Sequence, residues 1–210
     1  MAAALDPSLL RLPPLQPGMR IGLLGGSFDP AHAGHRAISL VALRSLNLDE
    51  VWWLVSPRNP LKPHAPSADL LRRIRQARKV ANHPRIKVTG VEAALGTRYT
   101  ADTLQKLAPR MAGAQAVWLM GADSLADFHR WDRWRSIAAS IPMAVFNRPG
   151  YALRALGSPA AHALAHGRMP EWAAASLPGT APPAWVFLAR PLIALSSTAI
   201  RTASRTKAAS

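Results

Sequence analysis

Arg20-Ile-Gly-Leu-Leu-Gly-Gly-Ser-Phe-Asp-Pro-Ala-His-Ala-Gly-His35 is the stretch on which the reading of this chain turns. Its opening residues form a short apolar run ending at Gly25-Gly26, the pattern of a buried strand running into a tight turn. Two adjacent glycines let the backbone come close to a ligand. A helical pattern follows, and its first N–H groups and dipole make a natural anion site. His32 and His35 lie three apart, so they share a face on the first helical turn. Imidazoles beside a phosphate-sized hollow can donate to oxygens that gain charge during a reaction. Taken alone, a glycine turn with two capping histidines is an ordinary strand-to-helix joint. The surroundings decide.

Working outward, strand-like runs recur at Val51–Val55, Ile86–Thr89, Val117–Met120, Met143–Phe146 and Trp185–Leu188. Helical patterns at about 33–46, 67–81, 100–110 and 123–139 separate them. Short apolar strands alternating with longer helices predict an α/β, Rossmann-like doubly wound fold with a mostly parallel sheet. Ligands of such folds sit at the carboxyl ends of the strands. Residues 1–18, with Pro7, Pro13, Pro14 and Pro17, read as a flexible leader, and 19–203 as the domain. Residues 148–183, rich in Ala, Pro and Gly with a short helix near 158–166, read as an insertion or mobile cover. Residues 204–210 read as a frayed basic tail.

The 210 residues, 49% hydrophobic and 18% charged, suit one domain with a sizeable core. The absence of cysteine excludes a disulfide scaffold, a Cys-ligated zinc and a catalytic thiol. A net charge of +15 favours acidic partners: nucleic acid, an anionic membrane or a phosphorylated small molecule. No apolar run approaches the ~20 residues that cross a bilayer. The first residues lack a secretory pattern, so the expected location is the cytoplasm.

Three further motifs bear on chemistry. Leu195-Ser-Ser-Thr-Ala-Ile-Arg201 follows the last strand; its hydroxyls cap a helix start and Arg201 falls one turn in. Standing alone this is an ordinary cap with a solvated arginine, and in company it is a second phosphate cradle. In Gly121-Ala-Asp-Ser-Leu-Ala-Asp-Phe-His-Arg-Trp131, Asp123 lies just past a strand end, either as an N-cap aspartate or as a carboxylate that accepts from ribose hydroxyls. Trp131 reads either as a core tryptophan or as one that stacks on a flat heterocycle, whereas Phe128 and Trp134 read as core. From Leu70 to Val91 there is no acid but seven basic residues, among them Arg72, Arg73, Arg75 and Lys79. A solvated helix face explains this run better than a nucleic-acid patch. His162 and His166 lack a third ligand nearby, so no zinc site is expected.

Together these runs resemble the HxGH nucleotidyltransferases, and within them the nicotinate-nucleotide adenylyltransferase family. Gly25 to His35 matches the pattern GGxFDPxHxGH at every fixed position, and Leu195 to Arg201 matches ISSTxIR with Leu195 for isoleucine. Gly121 to Trp131 is similar to the family's GxDSLxxFxxW segment, and Thr97-Arg-Tyr-Thr-Ala-Asp-Thr-Leu104 to TxYTxDTL. The matching segments run in order from about 20 to 201.

The resemblance implies that the phosphate of nicotinate mononucleotide attacks the α-phosphate of ATP, giving nicotinate adenine dinucleotide and pyrophosphate. This is a step in NAD biosynthesis, and Mg²⁺ assists, held mainly by the substrate phosphates. His32, His35 and Arg201 would be catalytic. Gly25, Gly26, Ser27, Phe28, Asp123, Ser197 and Thr198 would bind ATP. Thr97, Tyr99, Thr100, Trp131 and Lys62 would bind the nicotinate nucleotide, with Arg58, Asn59 and Lys62 in a loop where the family varies. Nicotinamide mononucleotide and phosphopantetheine are the rival acceptors. A non-catalytic RNA- or nucleotide-binding protein is the rival from another class. No nucleic-acid or membrane partner is expected, and an oligomer is compatible with surface tryptophans such as Trp172 or Trp185.

Overall fold

The computed structural model describes residues 7–57 and 70–189. Its strands are β1 (Arg20–Gly26), β2 (Glu50–Val55), β3 (Ile86–Thr89), β4 (Gln115–Gly121), β5 (Met143–Phe146), β6 (Arg168–Met169) and β7 (Trp185–Leu188). They form one sheet in the order β3-β2-β1-β4-β5-β7-β6, and every adjacent pair is parallel. The helices are α1 (Ala33–Ser45), α2 (Leu70–Ala81), α3 (Val91–Leu95), α4 (Thr100–Leu107), α5 (Ala122–Asp127), α6 (Trp134–Ser140), α7 (Ala152–Leu156) and α8 (Pro159–Ala163).

β2 shows why the sheet must be covered on both sides. It is apolar throughout after Glu50, and Val51 to Val55 are all fully buried. Because side chains alternate, Val51, Trp53 and Val55 join one core, with Ile38, Ala42, Ile74 and Ala77 from α1 and α2. Trp52 and Leu54 enter the opposite core, with Leu104, Leu125 and Ile137 from α4, α5 and α6. The doubly wound, parallel architecture expected from the sequence is the one found.

Several boundaries differ from expectation. The pattern over 123–139 is two helices, because Trp131 is extended and Arg133 sits in the left-handed region at φ 48°. Arg133 pairs there with Asp102 of α4 at 2.5 Å, a contact from outside the segment that helps hold the break. α4 gives way at Pro109 to a 3-10 turn over Ala108–Met111. Residues 148–183 supply α7, α8, the short strand β6 and a 3-10 segment over Glu171–Gly179. Trp185 is core: it is 1% exposed and its Nε1 donates to the Leu164 carbonyl at 2.8 Å. Trp172, by contrast, is exposed.

The chain steps from β1 outward to β2 and β3, then crosses to β4 on the other side of β1. The strand order therefore reverses between β1 and β4, and a crevice opens where their carboxyl ends part. Gly25-Gly26 ends one strand and Gly121 the other.

Candidate active site

The glycine turn is shaped by what packs behind it. A Cβ on Gly25 would stand 2.5 Å from the Trp118 ring, so no larger residue fits. Phe28 takes a left-handed backbone, φ 47°, and its buried ring stacks on Trp53 at 4.9 Å and lies 4.7 Å from the His35 ring. It backs His35 and does not line the hollow at the strand-order reversal.

The two histidines cap α1 reciprocally. His32 Nδ1 accepts from the Gly34 N–H at 3.1 Å, and His35 Nδ1 accepts from the His32 N–H at 3.2 Å. With each Nδ1 lone pair occupied, the proton of each neutral ring belongs on Nε2. The His32 pKa falls to about 4, because burial disfavours its charged form and the Arg148 cation adds to that, with Asp123 opposing. At neutral pH it is therefore an uncharged donor of fixed tautomer.

Across the cleft, α5 starts where β4 ends and carries Asp123, whose carboxylate pairs with Arg148 at 2.6 Å. Trp131 is half-buried and held edge-on by Phe128 and Trp118. Gly25, His32, His35, Asp123, Trp131 and Arg148 line one hollow at the strand-order reversal. Thr97 is buried: its N–H donates to the Glu92 carbonyl at 3.0 Å, and its hydroxyl accepts from Thr103 at 2.8 Å. Tyr99 is exposed and precedes Thr100 at the start of α4. The Asp102–Arg133 pair ties this segment to the one bearing Trp131. Gly26 accepts from the Ser56 N–H through its carbonyl, and the Ser27 carbonyl accepts from Arg73. Lys62, Arg58, Asn59, Ser197, Thr198 and Arg201 lie outside the described residues.

Three residues of the site were not singled out from sequence. Arg148 follows β5 closely, and the rule that ligands meet strand carboxyl ends could have found it. Arg73 is buried within the basic run, and its guanidinium donates to the Ser27, Ser56 and Pro57 carbonyls at 2.7, 2.6 and 3.1 Å. Glu92 is buried beneath the 97–100 segment, and no local signal marks it. Among the described residues no group of three His, Cys, Asp or Glu could hold a metal.

A parallel sheet with a hollow at its strand-order reversal, and capped histidines on its first helix, fits the nucleotidyltransferase class. In agreement, the cytidylyltransferase-like family model matches residues 23–203. A Cereibacter sphaeroides protein named probable nicotinate-nucleotide adenylyltransferase is 56% identical over 187 residues, 89% of this chain and 98% of the relative. One of the same name from Methylorubrum extorquens is 56% identical over 184 residues, 88% of this chain and all of the relative. A solved Plasmodium falciparum nicotinic acid mononucleotide adenylyltransferase complexed with NaAD shares the fold. Its TM-score is 0.66 at 14% identity, over 88% of this chain and 83% of that one. The chain belongs to the nicotinate-nucleotide adenylyltransferase family.

Proposed function

We propose that this chain transfers AMP from ATP to the phosphate of nicotinate mononucleotide, giving nicotinate adenine dinucleotide and pyrophosphate for NAD biosynthesis. The observation that carries the reading is the reciprocal His32–His35 cap, which fixes two Nε2–H donors at the hollow shared with Asp123 and Trp131. An acceptor phosphate oxygen attacks the α-phosphorus as the bond to the pyrophosphate oxygen breaks. The nucleophile is already ionised, so no side chain need take a proton. Catalysis reduces to aligning two anions and stabilising the charge that gathers around the α-phosphorus.

His32 and His35 donate to those oxygens, and Arg201 adds its cation. Gly25, Gly26, Ser27 and Phe28 form the phosphate turn, and Ser197 and Thr198 bind ATP as well. Asp123, steadied by Arg148, takes the ribose hydroxyls. Trp131 stacks on the pyridine ring, and Thr97, Tyr99, Thr100 and Lys62 meet its carboxylate and nucleotide. Mg²⁺ enters as part of the ATP complex: the hollow's carboxylate is engaged by Arg148, which suits an ion carried by phosphates. No helix among the described residues is long and apolar enough to cross a membrane, and we place the reaction in the cytoplasm.

Pyrophosphate release from ATP and Mg²⁺ tests this, with nicotinate mononucleotide, nicotinamide mononucleotide and phosphopantetheine as parallel acceptors. Preference for the nicotinate acceptor is expected. Preference for another would keep the phosphate chemistry and overturn the assignment of Trp131 and the 97–100 segment. Strongly salt-dependent RNA binding without turnover would favour the non-catalytic reading.

A further inference from the structure

Glu92 has no place in the mechanism above, yet among the described residues it is the one buried carboxylate, 6% exposed on α3. Its carboxyl lies within hydrogen-bonding reach of the Ser56 hydroxyl at the end of β2 and the Thr103 hydroxyl on α4. Its backbone carbonyl accepts the Thr97 N–H at 3.0 Å. Thr103 Oγ1 in turn lies 2.8 Å from Thr97 Oγ1 and 3.2 Å from the Tyr99 carbonyl. Ser56 also donates its N–H to the Gly26 carbonyl and lends its own carbonyl to Arg73. Glu92 thus joins the acceptor segment to the end of β2, and through it to the phosphate turn.

Thr103 has a single hydroxyl proton, and that decides how the chain of bonds can run. If Glu92 is a carboxylic acid, its O–H donates to Thr103, and Thr103 is left to donate to Thr97 or the Tyr99 carbonyl. If Glu92 is a carboxylate, the buried anion demands donors, and Thr103 must turn its proton inward. The acceptor segment then loses a hydrogen bond and gains a buried negative charge beside the place assigned to the nicotinate carboxylate.

We propose that Glu92, acting through the Thr103 hydroxyl, is a positioning residue that holds the 97–100 segment ready for the nicotinate acceptor. The inference rests on the assignment of that segment under the proposed function. Burial pushes the Glu92 carboxyl up to about 7, against the opposing pull of the Ser56 and Thr103 hydroxyls. Its charged neighbours are engaged elsewhere. On β2, Glu50 pairs with Lys87; on α4, Asp102 pairs with Arg133 and Lys106 donates to the Leu95 carbonyl; on the acceptor segment Arg98 lies over the Tyr99 ring at 5.8 Å; Arg73 is turned to the Ser56 carbonyl. The 3-10 turn over Pro7–Leu10, which also packs on α3, carries no titratable side chain.

The test is the KM for nicotinate mononucleotide from pH 6 to pH 8 in the wild type, Glu92→Gln and Thr103→Val, with the KM for ATP as internal control. If only the neutral form binds well, the wild-type acceptor KM should rise on the order of tenfold over that range. Glu92→Gln keeps a neutral donor and acceptor, so the ratio of the wild-type acceptor KM to that of Glu92→Gln should rise by the same factor, a comparison in which the acceptor's own titration cancels. Thr103→Val should raise the acceptor KM at every pH and abolish its Glu92-dependent rise, and it serves should Glu92→Gln fail to fold. A parallel rise in the wild type and Glu92→Gln, or an equal rise in the KM for ATP, would overturn the proposal. Amide exchange over 97–103 provides a readout without substrate: wild type should lose protection relative to Glu92→Gln at pH 8, and equal protection overturns it. Absence of turnover with nicotinate mononucleotide overturns the acceptor assignment instead, and the exchange pattern tells the two failures apart.

Discussion

At the scale of a single residue, His32 carries a conflict between chemistry and stability. Burial and Arg148 hold its pKa down to about 4, so it reaches neutral pH as an uncharged Nε2–H donor. The cost appears in acid. Between about 6.5 and 4 the unfolded chain binds a proton that the folded chain refuses, so stability falls as pH drops through that window. The shift corresponds to a few kcal/mol, of order 3, at about 1.4 kcal/mol per unit. Asparagine at position 32 keeps a capping oxygen for the Gly34 N–H but is too short to reach the hollow. His32→Asn should therefore gain stability over the wild type as pH falls from 6.5 to 4, measured by urea unfolding. The same variant should lose about 10²- to 10³-fold in kcat at neutral pH, the usual loss for one transition-state donor. An unchanged kcat in the folded variant would remove His32 from the chemistry.

At the scale of elements, α2 is the clearest case of a pattern that says one thing and does two. Its exposed face carries Arg72, Arg75 and Lys79, as the spacing implies, and its apolar stripe buries Ile74, Ala77 and Ala81. Arg73 lies beside that stripe and goes inward, where it clamps the carbonyls that follow β1 and β2. Three carbonyls in fixed directions need the forked guanidinium, which a lysine ammonium cannot copy. Arg73→Lys should lower the melting temperature by several degrees and raise the KM for ATP, since buried acceptors left unpaired cost about 1–3 kcal/mol each. Arg75→Lys, on the exposed face, should change neither. Equal behaviour of the two would mean the clamp does not shape the phosphate turn.

Legibility follows the same division. The strands of this sheet were readable because a parallel strand buried on both faces must be apolar throughout, as Val51 to Val55 are. β6 was not, because two residues leave no periodicity to read. The break at Arg133 was hidden because its partner, Asp102, is remote in sequence. His32, His35, Asp123 and Trp131 were legible through runs that keep their spacing. Arg73 and Glu92 were not, since a buried charge is defined by partners on other elements and has no mark of its own in the chain.

At the scale of the whole molecule, a charge of +15 must be reconciled with substrates that are both polyanions. A field of this sign raises encounter rates with anions and does little for the chemical step once they are bound. The exposed face of α2 is well placed to contribute, because Arg72 approaches Asp29 of the phosphate turn at 3.9 Å and Arg75 and Lys79 extend the same surface. Screening reaches a Debye length of about 10 Å at 0.1 M salt, so a steering effect should fade over that range while kcat stays level. We expect kcat/KM for ATP to fall as salt is raised from about 0.02 to 0.2 M, and the double variant Arg75→Gln, Lys79→Gln to show a shallower slope. Neither residue touches the hollow, so kcat should match the wild type in both salts. A slope that the double variant leaves unchanged would assign the steering to other basic residues. A kcat that falls with salt would mean that ions compete inside the hollow itself, where the proposed mechanism has His32 and His35 donating to the phosphates.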